Sequence, residues 1–430
     1  MQRFVIPRND KVYTHLSSEY LIKGNLQLDG YAHNAHALYN CALFDLRQGF
    51  FSKKYISSYC QLDRLFKKRY QERELMLYHS LGYVQSAQQT LKEVITIWQA
   101  WFKALKAYKA NPSKFSGKPR IPKYLRKGER HTFFVTNQSA KIKDGCLVIP
   151  KFNFKLKVAK RVKAIQRVAF KPVYGGYKVI IQYKITQHIN YLPDNGKYAC
   201  VSNTGDRPLL INGRGLKSVN QFYNKERARL KNLQAKYHQL ESKINTKQGE
   251  KFVYQETKTM KKITAWRNEK IRQFAHKASK RIVEYALSCD VNTIIIGNNK
   301  SWKRSSNMGK KNNQNFIGIP HKTMIDMIQY KANLAGISVI RTNESYTSQT
   351  SSLDNEKPCW QNGNQSRKNQ GLSPVNRRVK RGLFKADDGR LINADVNGSL
   401  QIIKKVFSDF QVNDEIAGVV LRPVKWSPVF

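Results

Sequence analysis

Residues 381–400 read RGLFKADDGRLINADVNGSL, and this stretch indicates how the C-terminal part of the chain folds. Leu391–Asp395 has the composition of a short strand, and Val396–Val406 has the apolar spacing of a helix. A strand that leads directly into a helix is typical of an α/β domain, and it places Asp395 at the junction. We therefore predict an α/β domain that ends near residue 407.

The preceding sequence continues this alternation of strands and helices. The predicted elements are two long basic helices forming a hairpin (Leu216–Lys243 and Lys251–Leu287), a buried strand (Asn292–Ile296), a helix (Pro320–Ala335) and another strand (Ile337–Arg341). Residues 345–381 lack periodicity and predict a loop or insertion. Residues 408–430 predict a loosely attached tail.

The N-terminal part of the chain has a different pattern. Residues 17–110 predict helices, the clearest being Tyr31–Phe51 and Val84–Tyr108. After a basic stretch rich in proline and glycine, apolar and basic residues alternate in Leu147–Val158, which predicts strands. The turn at residues 174–177, YGGY, predicts a β-hairpin.

The charge of the chain points to a polyanionic partner. It carries 77 Lys and Arg against 29 Asp and Glu, a net charge of +48, yet aromatic residues make up 11%, as expected of a folded protein. We therefore expect nucleic acid as the partner. No apolar run is long enough for a membrane span, and the six cysteines form no CxxC pair, so we expect a cytoplasmic protein that associates with the nucleoid when bound to DNA.

Several segments resemble the TnpB family of transposon-encoded, RNA-guided DNA endonucleases, which are related to type V CRISPR effectors. They are IPKYLRKG (121–128), GRGLKSVNQFYNKERARLKNLQ (213–234), TIIIGNNKSWKR (293–304), GKKNNQNFIGIPHKTMIDMIQYKA (309–332), NESYTSQTS (343–351) and RRVKRGLFKADDGRLINADVNGSL (377–400). The resemblance extends from about residue 30 to residue 407.

The resemblance implies a multidomain α+β fold: a wedge-like β-barrel with a helical recognition insertion, followed by a RuvC-like domain of RNase H-like α/β fold. The implied domains are the β-barrel (1–14 plus 113–190), the helical recognition domain (15–112), the RuvC-like domain (195–407) and the C-terminal tail (408–430). The RuvC-like domain would contain the helical hairpin (215–288) and a degenerate zinc-ribbon insertion (345–381).

Nucleases of this family cleave DNA with metal ions held by three carboxylates, and two of these positions differ here. A DLGxxN-like motif, whose Asp is the first ligand, is missing around Asn203-Thr204-Gly205-Asp206, where Asp206 reads as a turn residue. Ser305 replaces the glutamate of a GWKQE-like sequence. The third carboxylate remains as Asp395, which also suits a helix cap. The resemblance therefore implies that the chain is not an enzyme and that Asp395 is vestigial.

The zinc-ribbon motif is also degenerate. Family ribbons supply CxxC twice, but between Glu344 and Arg381 this chain has one cysteine, Cys359, and no histidine. Four-coordinate zinc cannot be held by one such ligand. We therefore expect no structural zinc, no Mg²⁺ catalysis and no cofactor.

A nuclease-dead relative that keeps its basic surface would still bind its target. The chain resembles the nuclease-dead TnpB-like repressors of bacteria (TldR), which implies guide-RNA-directed DNA binding without cleavage and transcription repression. The implied partners are a guide RNA, transposon-end-derived or similar, and double-stranded DNA with a short flanking motif. We expect one protein per guide RNA and no membrane partner.

Polar and basic residues along the chain are candidates for contacting nucleic acid. Five in the helical region could read the flanking motif through adenine edges: Tyr39, Asn40, Gln85, Gln88 and Gln89. Candidates for contacting the RNA or DNA backbone are Lys118, Arg120, Lys123, Arg126, Lys217, Lys225, Arg227, Lys303, Arg304, Lys310, Lys311, Arg377, Arg378, Lys380 and Arg381. The same residues would also suit packed helices and solvated surfaces.

Two alternative functions remain open from the sequence, besides a non-specific basic nucleic-acid chaperone that would bind all sequences alike. One is an RNA-guided DNA endonuclease with a metal site rebuilt from Asp206, Glu344 or Asp290 beside Asp395. The other is a decayed transposon remnant with residual RNA binding, which would carry no discrete guide.

Overall fold

The computed structural model describes residues 11–188, 190–200, 203–204, 209–211, 214–244, 254–298, 320–344, 347, 349–358, 378–380, 382–413, 416–418 and 424–426. The chain divides into two compact units. The N-terminal unit is Tyr13–Gln187, and the C-terminal unit is His188–Phe430 together with Met1–Val12. No helix in these ranges combines the length and the apolar character needed to cross a membrane.

The N-terminal unit combines helices with two open sheets. Its strands are β1 (Lys11–Lys23), β2 (Phe133–Thr136), β3 (Lys141–Lys143), β4 (Cys146–Ile149), β5 (Phe154–Lys157), β6 (Ala164–Val173) and β7 (Gly176–His188). Its helices are α1 (Leu26–Phe51), α2 (Tyr59–Gln71) and α3 (Val84–Ala110). The sheets have the orders β1-β7-β6-β2 and β3-β4-β5. Since β1 and β2 are separate edges of the described sheet, the closed β-barrel predicted from the resemblance is not found.

The boundary between the first strand and the helices lies later than the sequence predicted. Residues 17–23 were predicted to be helical, but β1 continues to Lys23. Its alternate residues, such as Tyr20 and Ile22, pack against the core, which is the period of a strand. Helix α1 begins at Leu26, where the Asn25 side chain caps it by accepting a hydrogen bond from Leu28 N at 2.8 Å.

Aromatic rings hold the core of the N-terminal unit together. Phe133 on β2 is fully buried, and its ring stacks on Phe170 of β6 with a centroid distance of 4.9 Å and an interplanar angle of 2°. Tyr31, Phe152 and Tyr177 contact the same ring edge-on. These rings join α1 to the two sheets, so Phe133 lies at the centre of the packing.

A charged network adjoins this aromatic core through Tyr177. The same Asp29 oxygen accepts hydrogen bonds from Arg130 Nη1 and from the Tyr177 hydroxyl, each at 2.5 Å. Burial acts to raise the pKa of Asp29, but the hydrogen bonds from Tyr177 and Arg130 outweigh it, and the pKa is lowered overall. Burial and the neighbouring Asp29 raise the pKa of Tyr177.

We predict that the N-terminal unit loses stability as the pH falls through the folded-state pKa of Asp29. A carboxyl whose pKa is lowered by folding stabilises the protein above its unfolded pKa, and this contribution disappears as the folded carboxyl is protonated. Asp29→Asn should therefore lower the melting temperature at pH 7 and have less effect below about pH 4. Thermal unfolding at pH 7, 4 and 3 measures both, with Glu129→Gln as the control. A stability difference that stays constant with pH would contradict the prediction.

The C-terminal unit is built around a mixed sheet. Its strands are β8 (Tyr198–Cys200), β9 (Asn203–Thr204), β10 (Leu209–Ile211), β11 (Thr293–Gly297), β12 (Ser338–Thr342), β13 (Arg378–Lys380), β14 (Leu383–Lys385), β15 (Leu391–Asn393) and β16 (Val424–Trp426). Its helices are α4 (Arg214–Ile244), α5 (Lys258–Ser288), α6 (His321–Leu334) and α7 (Ala394–Val406). The central sheet has the order β12-β11-β8-β9, in which β11 is parallel to β8 and β12 and β9 is antiparallel to β8.

The helices of the C-terminal unit pack around this sheet. Ile294 and Ile296 of β11 are buried in one apolar cluster with Ile282 of α5 and Ile328 of α6. Helices α4 and α5 lie side by side, and the Phe222 and Trp266 rings meet edge-on at 5.5 Å. The long basic hairpin predicted from the sequence is therefore formed by α4 and α5.

The C-terminal segment is part of the fold, contrary to the loosely attached tail predicted for residues 408–430. Strand β16 pairs in parallel with β10, with Leu209 opposite Val424 and Ile211 opposite Trp426. The Trp426 side chain also packs against a cluster on α5. Among the described strands, β10 has no partner other than β16. The prediction was wrong because the paired residues are more than two hundred positions apart, and local sequence patterns cannot reveal such a pairing.

Candidate nucleic-acid interface and carboxylate groups

One face of the β3-β4-β5 sheet carries four lysines, here called the lysine face: Lys141, Lys143, Lys155 and Lys157. The register places Lys141 and Lys155 on either side of Val148, and Lys143 and Lys157 on either side of Cys146. All four side chains are exposed, whereas the opposite face packs Leu147 into the core. Strand spacing puts the four charges in a rectangle of about 10 by 7 Å, an array that suits a phosphate backbone.

A second basic surface is formed by residues 115–127, here called the basic segment. Helix α1 holds one end of it, because the Asn40 side chain both donates to Leu125 O (3.1 Å) and accepts from Leu125 N (2.9 Å). Nearby, His36 Nε2 donates to Arg126 O at 2.7 Å. Trp101 of α3 holds the other end by donating to Pro119 O at 3.3 Å. The segment is therefore fixed although it has no regular structure.

The basic segment lines a cavity of about 650 Å³, here called the basic cavity. The lining combines Lys118, Arg120 and Lys123 with Arg47 of α1. The structure thus brings together three of the residues predicted to contact a nucleic-acid backbone. Arg47 was missed by the sequence reasoning. The signal that could have found it is its position two turns beyond Asn40 on the same side of α1. Arg126 is exposed on the same segment but does not line the cavity.

A neighbouring cavity of about 510 Å³, here called the aromatic cavity, opens beside the same segment. Phe44 and Tyr124 line it, and they are 51% and 42% exposed. The Arg47 guanidinium lies 4.7 Å from the centroid of the Tyr124 ring, so these two residues form the wall between the cavities. Asp45 and Arg69 form an ion pair at 2.7 Å on its polar side.

The residues predicted to read a flanking motif have different environments. Tyr39 is only 5% exposed and packs beside the His131 ring, so in this structure its side chain belongs to the core. The amide of Asn40 is occupied by the backbone of Leu125. Both side chains make contacts within the protein in this structure, and motif reading by them stays a prediction.

The three glutamines lie on α3. Gln85 donates to Gln138 at 2.9 Å, and Gln88 lies 3.5 Å from Asp63 and 3.4 Å from the Tyr78 hydroxyl. Gln89 is half-buried. Motif reading by these glutamines stays a prediction.

The remaining predicted backbone contacts belong to the C-terminal unit. Lys217, Lys225 and Arg227 are exposed on α4. Several others lie outside the described residues, namely Lys303, Arg304, Lys310, Lys311, Arg377 and Arg381. Arg378 and Lys380 lie in β13, and their side chains are also outside the description.

Glu344 lies at one edge of the mixed sheet. The carboxyl ends of β8, β11 and β12 meet at one edge, and Glu344 follows β12 there. A Cβ on Gly297, at the end of β11, would lie 2.5 Å from a Glu344 carboxylate oxygen, so glycine is required for this close approach. Burial raises the pKa of Glu344, and the ammonium of Lys405 opposes that rise.

Asp395 lies exposed in the first turn of α7. The helix cap predicted for Asp395 is instead Asn393, whose side-chain oxygen accepts from Asp395 N (2.9 Å) and Val396 N (3.3 Å). The Asp395 charge still suits the positive end of the helix dipole. Asp206, Ser305 and Cys359 lie outside the described residues.

Asp290, the other carboxylate considered for a rebuilt metal site, lies at the opposite edge of the sheet. It precedes β11 and pairs with Lys197 at 3.3 Å, before the start of β8. The five residues of β11 separate this edge from Glu344 by roughly 16 Å. Asp290 therefore cannot share a metal ion with Glu344.

A separate group of carboxylates could hold a cation. Ligand atoms of Asp354, Glu356 and Asp387 lie within 4.8 Å of one another. Glu356 accepts from Ser351 N at 2.7 Å, and Asp354 accepts from Asp387 N at 3.0 Å. Three oxygen donors suit Mg²⁺ or Ca²⁺ rather than structural zinc. Sequence reasoning missed this group because Asp387 is 33 residues away from Asp354, and the local signal is the Asp-x-Glu spacing.

Comparison with known proteins gives matches of two kinds. The family model of the Cas12f1-like TNB domain matches residues 321–402. Among solved structures, a Cas12f1–sgRNA–target DNA complex is 15% identical with a TM-score of 0.30, covering 90% of this chain and 98% of that chain. A CRISPR-Cas12f ternary complex is 15% identical with a TM-score of 0.29, covering 87% and 80%. C2c1 of Alicyclobacillus acidoterrestris with single-guide RNA is 13% identical with a TM-score of 0.28, covering 90% and 32%. No curated protein matches the chain in sequence.

Proposed function

We propose that this chain, a TnpB and type V effector-like protein by the match over residues 321–402, binds DNA under the direction of a guide RNA without cutting it. By occupying a target beside a short flanking motif, it represses transcription there, as expected of a nuclease-dead TnpB-like repressor (TldR). The observation that carries the proposal is the state of the catalytic positions: the DLG motif is missing before Asp206, and Ser305 stands in place of glutamate.

The basic surfaces of both units support nucleic acid as the partner. The lysine face and the basic cavity each gather several cations on fixed backbone. Exposed lysine and arginine on α4 add a third surface. In RNA-guided recognition the protein holds the heteroduplex backbone and base pairing supplies the sequence specificity, so such surfaces need no base readers beyond a flanking motif.

The topology of the C-terminal unit supports a RuvC-like assignment. A sheet ordered β12-β11-β8-β9, with only β9 antiparallel, is the order expected for the central strands of an RNase H-like domain. In that arrangement the metal ligands belong at the carboxyl ends of β8 and β11 and at the start of α7. Cys200 and Gly297 end the first two strands, and neither supplies a carboxylate. Among the described residues at these three positions, only Asp395 is a carboxylate.

An RNA-guided endonuclease with a rebuilt metal site is the second candidate. Glu344 at the carboxyl edge of the sheet and the Asp354, Glu356 and Asp387 group both favour it, because each offers oxygen ligands for a hard cation. Cleavage of a phosphodiester by metal ions requires several ligands held together beside the substrate. Glu344 and Asp395 together would have to supply them in the RuvC-like site.

The experiment is to purify the full chain, sequence the RNA that accompanies it, and measure binding and Mg²⁺-dependent cleavage of the DNA that this RNA matches. We expect tight, guide-dependent binding, intact DNA and repression of a reporter placed behind the target. DNA with mismatches beside the flanking motif is the control for guide dependence. The absence of a discrete guide would favour the decayed transposon remnant.

Cleavage would overturn the proposal, and three matched variants would then locate the metal site. Glu344→Gln and Asp395→Asn would abolish cutting by a rebuilt RuvC-like site, whereas Asp354→Asn would abolish cutting by the separate carboxylate group. We also propose that one protein binds one guide RNA and that the degenerate zinc ribbon holds no metal. Native mass spectrometry tests the stoichiometry, and metal analysis of the same sample tests the absence of zinc.

A further inference from the structure

We infer that the aromatic and basic cavities of the N-terminal unit together bind one unpaired nucleotide, with its base in the aromatic cavity and its phosphate in the basic cavity. The inference rests on the proposed function only in taking nucleic acid as the ligand. The role it assigns to the cavities differs from binding of the sugar-phosphate backbone. A base that lies against protein side chains is recognised by its own hydrogen-bonding groups.

The two cavities have the sizes and the separation of function that a nucleotide requires. Their volumes, about 510 and 650 Å³, fall within the usual range for small-ligand sites. Arg47 belongs to the lining of the basic cavity, while Tyr124, over which its guanidinium lies, belongs to the lining of the aromatic cavity. A ligand that spans both cavities therefore has one end among aromatic side chains and the other among cations. A nucleotide has matching ends, because its base is aromatic and its phosphate is anionic.

The aromatic cavity offers a stacking surface. Phe44 and Tyr124 are both largely exposed, and both line the same cavity. The ring of Tyr124 already carries the Arg47 guanidinium on one face, which leaves the other face for a base. Stacking of this kind is strong and tolerates any base, so it supplies affinity without specificity.

The polar side of the aromatic cavity favours guanine. Asp45 accepts from Arg69, and the exposed Glu74 lies 4.0 Å from Arg69 Nε, so carboxylate acceptors stand on both sides of one guanidinium donor. Guanine presents adjacent N–H donors at N1 and N2 beside the O6 acceptor, which matches a carboxylate next to a guanidinium. Uracil presents one N–H between two carbonyl oxygens, which a carboxylate repels. Asn40 contributes no reading group, because its amide is held by Leu125.

The position of the basic segment explains why the cavities stay open. Asn40 and Trp101 fix Leu125 and Pro119 by hydrogen bonds, so the residues between them cannot collapse onto α1. A preformed site of this kind requires little reorganisation on binding. The cations of the basic cavity are then already placed when a phosphate arrives.

The test uses the full chain after RNA has been removed at high salt. The chain is titrated with GMP, UMP and ribose 5-phosphate, and binding is measured by calorimetry and saturation-transfer NMR. We expect GMP to bind about tenfold more tightly than either of the other two. Tyr124→Leu should weaken GMP binding by about tenfold, Tyr124→Phe should preserve it, and Tyr174→Leu, at a similarly exposed tyrosine of the β6–β7 turn, should leave it unchanged.

Equal binding of all three ligands would mean that only phosphate is bound and would overturn the inference. Retention of GMP binding in Tyr124→Leu would overturn it as well. Because no guide RNA or target DNA is used, either result would leave guide-directed DNA binding untouched. Conversely, a chain that binds GMP as expected but shows no guide-dependent DNA binding would refute the proposed function and keep this site.

Discussion

Replacing the four residues of the lysine face by glutamine is expected to weaken RNA binding by about two orders of magnitude at 0.15 M salt. Each lysine that neutralises a phosphate releases a condensed counterion, and four such contacts are lost together. The substitution leaves the fold intact, since all four side chains are exposed and the packed face of the sheet is unchanged. Binding of the co-purified RNA, measured over a salt series, gives the affinity.

The salt series also provides the sharper criterion. The slope of log K against log salt concentration should become shallower by about 3, because each lost phosphate contact contributes roughly 0.7–0.9 to it. The matched control removes the same net charge from four exposed lysines on two helices of the same unit: Lys67 on α2 and Lys103, Lys106 and Lys109 on α3. If both quadruple variants lose the same affinity and slope, the lysine face holds no particular stretch of backbone and only the total charge matters.

Phe133→Ala is expected to destabilise the N-terminal unit by about 3–5 kcal/mol. The ring is fully buried, stacks on Phe170 and contacts three further rings, so its removal leaves a cavity that these rigid neighbours cannot fill. Phe134→Ala is the matched control, because the next ring along β2 is half-exposed and lies beside Arg167 on the opposite face.

Hydrogen exchange measures this effect locally in a chain with two units. Amide protection in β6 and β7 should fall by two to three orders of magnitude in Phe133→Ala, while protection in α5 should not change. Phe134→Ala should alter both by less than tenfold. Equal losses in the two variants would show that the Phe133 ring is not central to the packing of this unit.

The sequence predicted those parts of the fold whose signals are local. The period of α1 and α3, the hairpin between β6 and β7, and the strand–helix order of the C-terminal unit were all readable from apolar spacing and turn residues. The later part of β1, residues 17–23, was misread as helix because the inward positions Leu16, Ser18, Tyr20 and Ile22 include a serine, which interrupts the apolar alternation. The pairing of β10 with β16 was missed because both strands have three residues and lie far apart in sequence.

The sequence predicted the basic residues of the candidate site but not the residues that the fold brings beside them. Lys118, Arg120 and Lys123 were found because they cluster in sequence, whereas Arg47 and Phe44 join them only after α1 packs beside the basic segment. The burial of Tyr39 and the Leu125 hydrogen bonds of Asn40 were not predicted, because burial depends on which face of α1 meets its neighbours. The fold brings the Asp354 and Asp387 carboxylates together, and no local sequence pattern predicts that these two residues are close.

The pairing of β10 with β16 has a consequence for synthesis on the ribosome. Val424 emerges 215 residues after its partner Leu209, which corresponds to roughly 10–40 s of translation. The N-terminal unit is complete in sequence by residue 187 and can fold during that interval. For the same interval β10 presents unsatisfied backbone groups, a known hazard for association between nascent chains on neighbouring ribosomes. Strand β10 can therefore pair with β16 only late in synthesis.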